Sequence, residues 1–275
     1  MLTIDALVDA LTLERVSDDR YRAGNVESGH GLIFGGQLLA QSVVAGRLTE
    51  PGKDVKTIHT IFARGGSPDA PLEIVVDRMH SGRAMASCTV TMSQGERMCA
   101  RSQVLLSADE PDFIRHCDDA PPVLGPDGSR AMNEESPAWQ VRVVGDADIT
   151  DPQRTGPPDL DVWTRFVGAP DDAGVSQALL AYATDGFLIG TAMRPHEGVG
   201  QAQAHVTLST GVLSHTLTFH EPFYAGDWLL LSHHSAYTGR GRAYGRANVF
   251  GEDGSLVASF VQDGMIRSMS TGSKL

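Results

Sequence analysis

Along residues 174–190, GVSQALLAYATDGFLIG, small or apolar residues return every three or four positions: Val175, Ala178, Leu179, Tyr182, Gly186 and Ile189. That period predicts a helix with one apolar face. Asp185 falls on the same stripe, between Tyr182 and Ile189. A carboxylate there is costly unless something hydrogen-bonds it or needs it. The alternative is a helix end fraying near Gly186, with Asp185 simply solvated.

The helical period occurs twice more. Ile4, Leu7, Val8 and Leu11 share a face and predict a short docking helix. In LIFGGQLLAQSVVAGRL, Gly35 and Gly36 interrupt the pattern, after which Leu38, Leu39, Ser42, Val43 and Gly46 share a face. A helix starting near Gly36 leaves its first amides free to meet an anion or a polarised carbonyl oxygen. Gly35, Gly36 and Gln37 are therefore candidate substrate contacts.

From Val55 the period changes to two, with strands expected over 72–79, 84–92 and 98–106 and a turn at Gln94-Gly95. Residues 111–160 are rich in Pro, Gly and acid and read as a linker, with one short strand over 139–144. The second half then repeats the first: a helix over 174–190, followed by strands over 212–219, 227–236, 242–250 and 256–265. Ser81-Gly82-Arg83 matches Thr238-Gly239-Arg240 at the same offset that relates Phe62 to Phe219. Two domains follow, 1–110 and 161–275, each a helix plus an antiparallel meander. Two such copies pack as one continuous sheet or as two abutting sheets, each wrapping its own helix.

Composition narrows the function. The formal net charge of −12 disfavours nonspecific attraction to nucleic acid or to an anionic membrane surface. No stretch approaches the roughly 20 apolar residues of a membrane span, and no signal peptide is recognisable, so a cytoplasmic location is expected. Cys88, Cys99 and Cys117 are odd in number and lack CxxC spacing, which argues against a disulfide framework or a zinc site.

Several polar residues stand in apolar surroundings. Gln262 continues the face of Leu256, Ala258 and Phe260 and needs partners for its amide, unless the strand simply frays there. Alternation places Val212, Ser214, Thr216 and Thr218 on one strand face, and Leu213, His215, Leu217 and Phe219 on the other. His215 thus lies on the apolar face, where a structural role competes with that of a base. Arg240 and Arg242 lie in TGRGRAYGR and serve either as a phosphate contact or as solvated charges at a hairpin tip. No G-x-S-x-G elbow, P-loop or strand–GxGxxG–helix is present.

Four segments in order, IFGGQLLAQSV, LLAYATDGFLI, HTLTFHEPF and DGSLVASFVQDGMIR, resemble the acyl-CoA thioesterase II family across nearly the whole chain. The resemblance implies an α+β double hotdog: two antiparallel sheets, each wrapping a central helix, from a tandem duplication in one chain. It implies acyl-CoA as substrate, hydrolysed to free acid and CoA without metal, cofactor or covalent nucleophile, and assembly into homo-oligomers. An Asp, a Gln and a hydroxyl residue orient the attacking water in that family. The first two fall on Asp185 and Gln262, whereas the hydroxyl position falls on Val212. Ser214 lies two residues on, roughly 7 Å along a strand, and would serve only if a bulge shifts the register. Arg240 and Arg242 would meet the CoA phosphates. Two alternatives remain: a double hotdog that binds acyl-CoA with little hydrolysis, and a hotdog hydratase, which would need a His soon after Asp185, although none occurs before His196.

Overall fold

A computed structural model describes residues 2–27, 29, 31–132 and 136–269. The first half runs α1 (Ile4–Leu11), β1 (Glu14–Ser17), β2 (Arg20–Ala23), α2 (Gly35–Arg47), β3 (Asp54–Phe62), β4 (Leu72–Ser81), β5 (Met85–Gln94) and β6 (Arg97–Ser107). Next come β7 (Arg130–Ala131), β8 (Trp139–Val143), β9 (Asp159–Phe166), α3 (Ala173–Thr184) and α4 (Leu188–Met193). The last four strands are β10 (Leu208–Phe219), β11 (Leu229–Gly239), β12 (Arg242–Gly251) and β13 (Leu256–Ser268). Among the described residues no helix is long and apolar enough to cross a membrane.

The thirteen strands of the described residues form one antiparallel sheet, ordered β1-β2-β4-β5-β6-β3-β10-β13-β12-β11-β9-β8-β7. The halves join where β3 pairs with β10, from Thr57↔Thr218 to Ile61↔Ser214. Each half-sheet curves around one central helix, so the hotdog unit occurs twice within a continuous sheet. The segment 111–160 also contributes to it, because β7 and β8 extend the far edge beyond β9. Ala120 and Val123 from the same segment pack on an outer-face cluster of Trp163, Trp228, Leu230 and Phe250.

The central helices are buried nearly all round rather than along one stripe, because each touches both the sheet and the other helix. The expected helix over 174–190 is in fact two helices. Asp172 starts α3 by accepting a hydrogen bond from Val175 N at 2.9 Å. The Thr184 hydroxyl donates back to Ala181 O at 2.9 Å, and Asp185 forms the C-cap. Gly186 and Phe187 then turn the chain into α4.

Both halves contain the same strand irregularity. In the first, Val55 pairs with Leu106, the register then shifts, and Thr57, Ile58 pair with Leu105, Val104. In the second, Val212 pairs with Gly264, the register shifts, and Ser214, His215 pair with Asp263, Gln262. A bulge flips every side chain beyond it relative to simple alternation. The expected common face of Val212 and Ser214 is therefore wrong: Val212 lies on the inner side with His215.

Candidate active site

The two central helices pack side by side and antiparallel, so that the start of each lies beside the end of the other. A Cβ built on Gly35, at the start of α2, would stand 2.6 Å from Asp185 Oδ2. Only a glycine lets the helix start come this close to the carboxylate. The Gly36 N–H donates to the Asp185 carboxyl and favours its ionised form. Asp185 therefore sits at the favourable positive end of α2 and at the unfavourable negative end of its own helix.

The last strand completes the arrangement. Gln262, only 2% exposed, donates from Nε2 to Asp185 Oδ1 at 3.3 Å. Its Oε1 is buried and has no hydrogen-bond partner among the described residues. A buried acceptor left without a donor costs about 1–3 kcal/mol, so water or substrate is the natural donor here. Asp185 is only half-buried, but the protein packed around it displaces solvation. This desolvation outweighs the Gly36 hydrogen bond and raises its pKa to about 7. A carboxylate poised there can accept a proton at neutral pH.

The surroundings are aromatic. Tyr182 meets Phe34 and Trp139 edge-on, at 4.9 and 5.4 Å between ring centroids. Burial, with the nearby Asp185 as a smaller contribution, pushes the Tyr182 hydroxyl up to about 12, so it does not ionise near neutrality. His215 is the cross-strand neighbour of Gln262 on the inner face, and its Nε2 lies 3.1 Å from Thr184 Oγ1. Sequence reading left His215 without a site and missed Thr184, which is hidden in an alanine-rich helix end.

The other sequence candidates divide. The structure corrects Ser214: the bulge turns it to the outer face, where its hydroxyl donates to Asp263 Oδ2 at 3.2 Å. It does not join Asp185 and Gln262. The free-amide expectation for Gly36 and Gln37 is corrected too. The first amide is held by Asp185, and the second donates to Phe34 O at 3.0 Å. The Gln37 side chain is structural as well, accepting from Val26 N and donating to Asn25 Oδ1, both at 2.8 Å. Gly35 stays beside the pair. Arg240 and Arg242 lie at the tip joining β11 to β12, with Arg240 exposed and in the left-handed region at φ 54. Gly245, the partner of Gln262, is three residues from Arg242, on the order of 10 Å along the strand.

In the first half the corresponding place holds different residues. Gly174 faces Arg47 as Gly35 faces Asp185, and a Cβ there would stand 2.6 Å from Arg47 Cζ. Val104 and Ile58 occupy the register positions of Gln262 and His215. A cleft of about 490 Å³ opens there, lined by Val8, Leu11, Val44, Arg47, Leu48 and Val175 among others. Arg47 is tied to Asp54 at 2.9 Å and Asp172 at 3.4 Å. This cleft is at the half without the acid–amide pair, and chemistry rather than volume identifies the site. Among the described residues, no cluster of three or more His, Cys, Asp and Glu side chains is arranged to hold a metal.

Residues 23–107 match the family model described as acyl-CoA thioesterase N-terminal domain, and residues 114–266 match acyl-CoA thioesterase C-terminal domain. The chain is 27% identical to acyl-CoA thioesterase 2 of Haemophilus influenzae, covering 96% of this chain and 98% of that protein. It is 25% identical to human acyl-coenzyme A thioesterase 8, covering 94% and 87%. Among solved structures, acyl-CoA thioesterase II TesB2 of Mycobacterium marinum superposes with a TM-score of 0.82 at 28% identity, covering 98% and 100%. With both domain models matched in order and the duplicated fold in place, this chain belongs to the acyl-CoA thioesterase II family.

Proposed function

We propose that the chain hydrolyses acyl-CoA thioesters through a water molecule held by Asp185 and Gln262. The contact between Gln262 Nε2 and Asp185 Oδ1 at 3.3 Å carries this reading, because it joins a helix end and a final strand 77 residues apart. The ionised Asp185 accepts a proton as the water attacks the thioester carbonyl. The tetrahedral oxyanion then collapses, the C–S bond breaks, and the CoA thiolate leaves with the proton Asp185 holds. Gln262 orients the water through its free Oε1, and the bare Cα of Gly35 leaves room beside Asp185. Arg240 and Arg242 stand as the phosphate contacts.

Cys88 is disfavoured as a nucleophile on physical grounds. Cys88 is buried in the other half, and desolvation raises its thiol to about 11. The direct test is thiol release from acyl-CoAs of graded chain length by the wild type and by Asp185→Ala. Loss of turnover in the variant is the expected result; wild-type rates would remove Asp185 from the mechanism.

A second reading, a protein that binds acyl-CoA but hydrolyses it slowly, is favoured by Val212, which faces inward yet donates nothing. Losing one preorganised donor typically costs about 10²–10³ in rate. Val212→Thr is expected to raise kcat at least tenfold if the water lies against this position. Unchanged kcat would show that Val212 does not limit turnover.

A further inference from the structure

We propose that His215 is a positioning residue for the reaction: it pins the helix end bearing Asp185 to the sheet that bears Gln262. This assignment rests on the hydrolase reading above and goes one layer beneath it.

His215 is fully buried. It makes two connections that bear on the site. Across the β10–β13 ladder it pairs with Gln262 and shares its face. Toward the helix its Nε2 meets Thr184 Oγ1 at 3.1 Å, and Thr184 immediately precedes Asp185. The Thr184 hydroxyl has a single hydrogen, which it donates to Ala181 O at 2.9 Å. It therefore accepts from the imidazole, which fixes the tautomer with the proton on Nε2. The ring stacks on Phe260, with centroids 5.3 Å apart and planes 19° apart, so the donor is held in direction as well as position.

Burial, with a smaller contribution from His59, depresses the imidazole pKa to about 3. The ring is therefore a neutral donor at any pH where the enzyme works, not an acid or base in the cycle. Stability alone does not call for it, because an apolar pair of similar shape fills a buried site at equal or lower cost. The first half shows this substitution: Ile58 beside Val104, at the same register and with the same bulge. A fixed hydrogen bond gives what apolar packing gives less well, a defined height for Asp185 relative to Gln262. Misplacing a reacting group by about 1 Å costs on the order of 10² in rate. His215 Nδ1 has no partner among the described residues, so Nε2 carries the link to the helix.

The test compares kcat and KM for thiol release by H215L, H215Q, H215N, T184V and the H215L/T184V double variant, with D185N as reference. H215L and T184V are each expected to lower kcat by roughly 10–100-fold with KM changed less than about threefold. The double variant should be no worse than either single one, because both remove the same link. H215Q, whose amide nitrogen reaches the place of Nε2, should recover most of kcat; H215N, whose shorter amide stands in for Nδ1, should not. T184V keeps the imidazole and serves if H215L does not fold. Wild-type kcat in T184V and H215L beside an inactive D185N would overturn the assignment alone, as would additive losses or equal rescue by Asn and Gln. Wild-type turnover by D185N would overturn the hydrolase reading and this assignment with it.

Discussion

Strands β3 and β10 run side by side through the middle of the sheet, and each bulges just before the segment that pairs with the other, between Val55 and Thr57 and between Val212 and Ser214. Each half also sets the end of its helix against a glycine at the start of the other. On this shared scaffold the first half places Arg47, Ile58 and Val104, where the second places Asp185, His215 and Gln262. Duplication therefore supplied one geometry twice, and side-chain chemistry decides which copy acts. The apolar copy closes its core at little cost. The polar copy keeps a desolvated carboxylate, a buried amide oxygen without a partner among the described residues and a neutral imidazole, none of which a stability argument would select.

The comparison can be broken most sharply by exchanging the paired residues. Asp185→Asn is expected to lower kcat/KM by about 10³-fold, whereas Arg47→Ala should leave it within about threefold. Comparable losses in steady-state thiol release would mean that both halves contribute to the chemistry. The paired glycines give a smaller effect. Gly35→Ala pushes a methyl onto Asp185 Oδ2 and should reduce kcat roughly tenfold. Gly174→Ala meets the long side chain of Arg47, which can swing aside, and should leave kcat unchanged.

The pH response is gentler and has a definite sign. Since Asp185 must be ionised to accept a proton, kcat/KM should rise with pH through an apparent pKa near 7, and this limb should vanish in D185N. Stability moves the other way. A folded pKa raised from 3.8 to about 7 means that the native state holds a proton the unfolded chain has released. That contribution is complete at low pH and is lost as pH rises through 7. Thermal melts at pH 5 and pH 8 should show D185N gaining on the wild type at the higher pH.

Much of this was legible in the sequence. Asp185 on a helical apolar stripe and Gln262 on a strand's apolar face were each anomalous before any contact was known, and the repeated motifs announced the duplication. The strand bulge was not legible, because period-two alternation has no mark for one extra residue; Ser214 and Val212 were placed on the same face for that reason. Gly36 and Gln37 looked like free amides because a sequence shows a helix start but not the groups that come to cap it. Thr184 gave no signal, since a buried hydroxyl bonded to its own helix reads as one more helical residue. The opposition of Arg47 to Asp185 emerges only when the two helices lie antiparallel, each end beside the other's start.

The central claim is that Asp185 and Gln262 act on one water molecule as a unit, and a double-mutant cycle in kcat/KM tests it most directly. D185N, Q262L and D185N/Q262L would be compared with the wild type in thiol release from one acyl-CoA. The account predicts strong non-additivity, with the double variant within about threefold of D185N alone. Losses that simply multiply would show two independent residues and contradict the shared site.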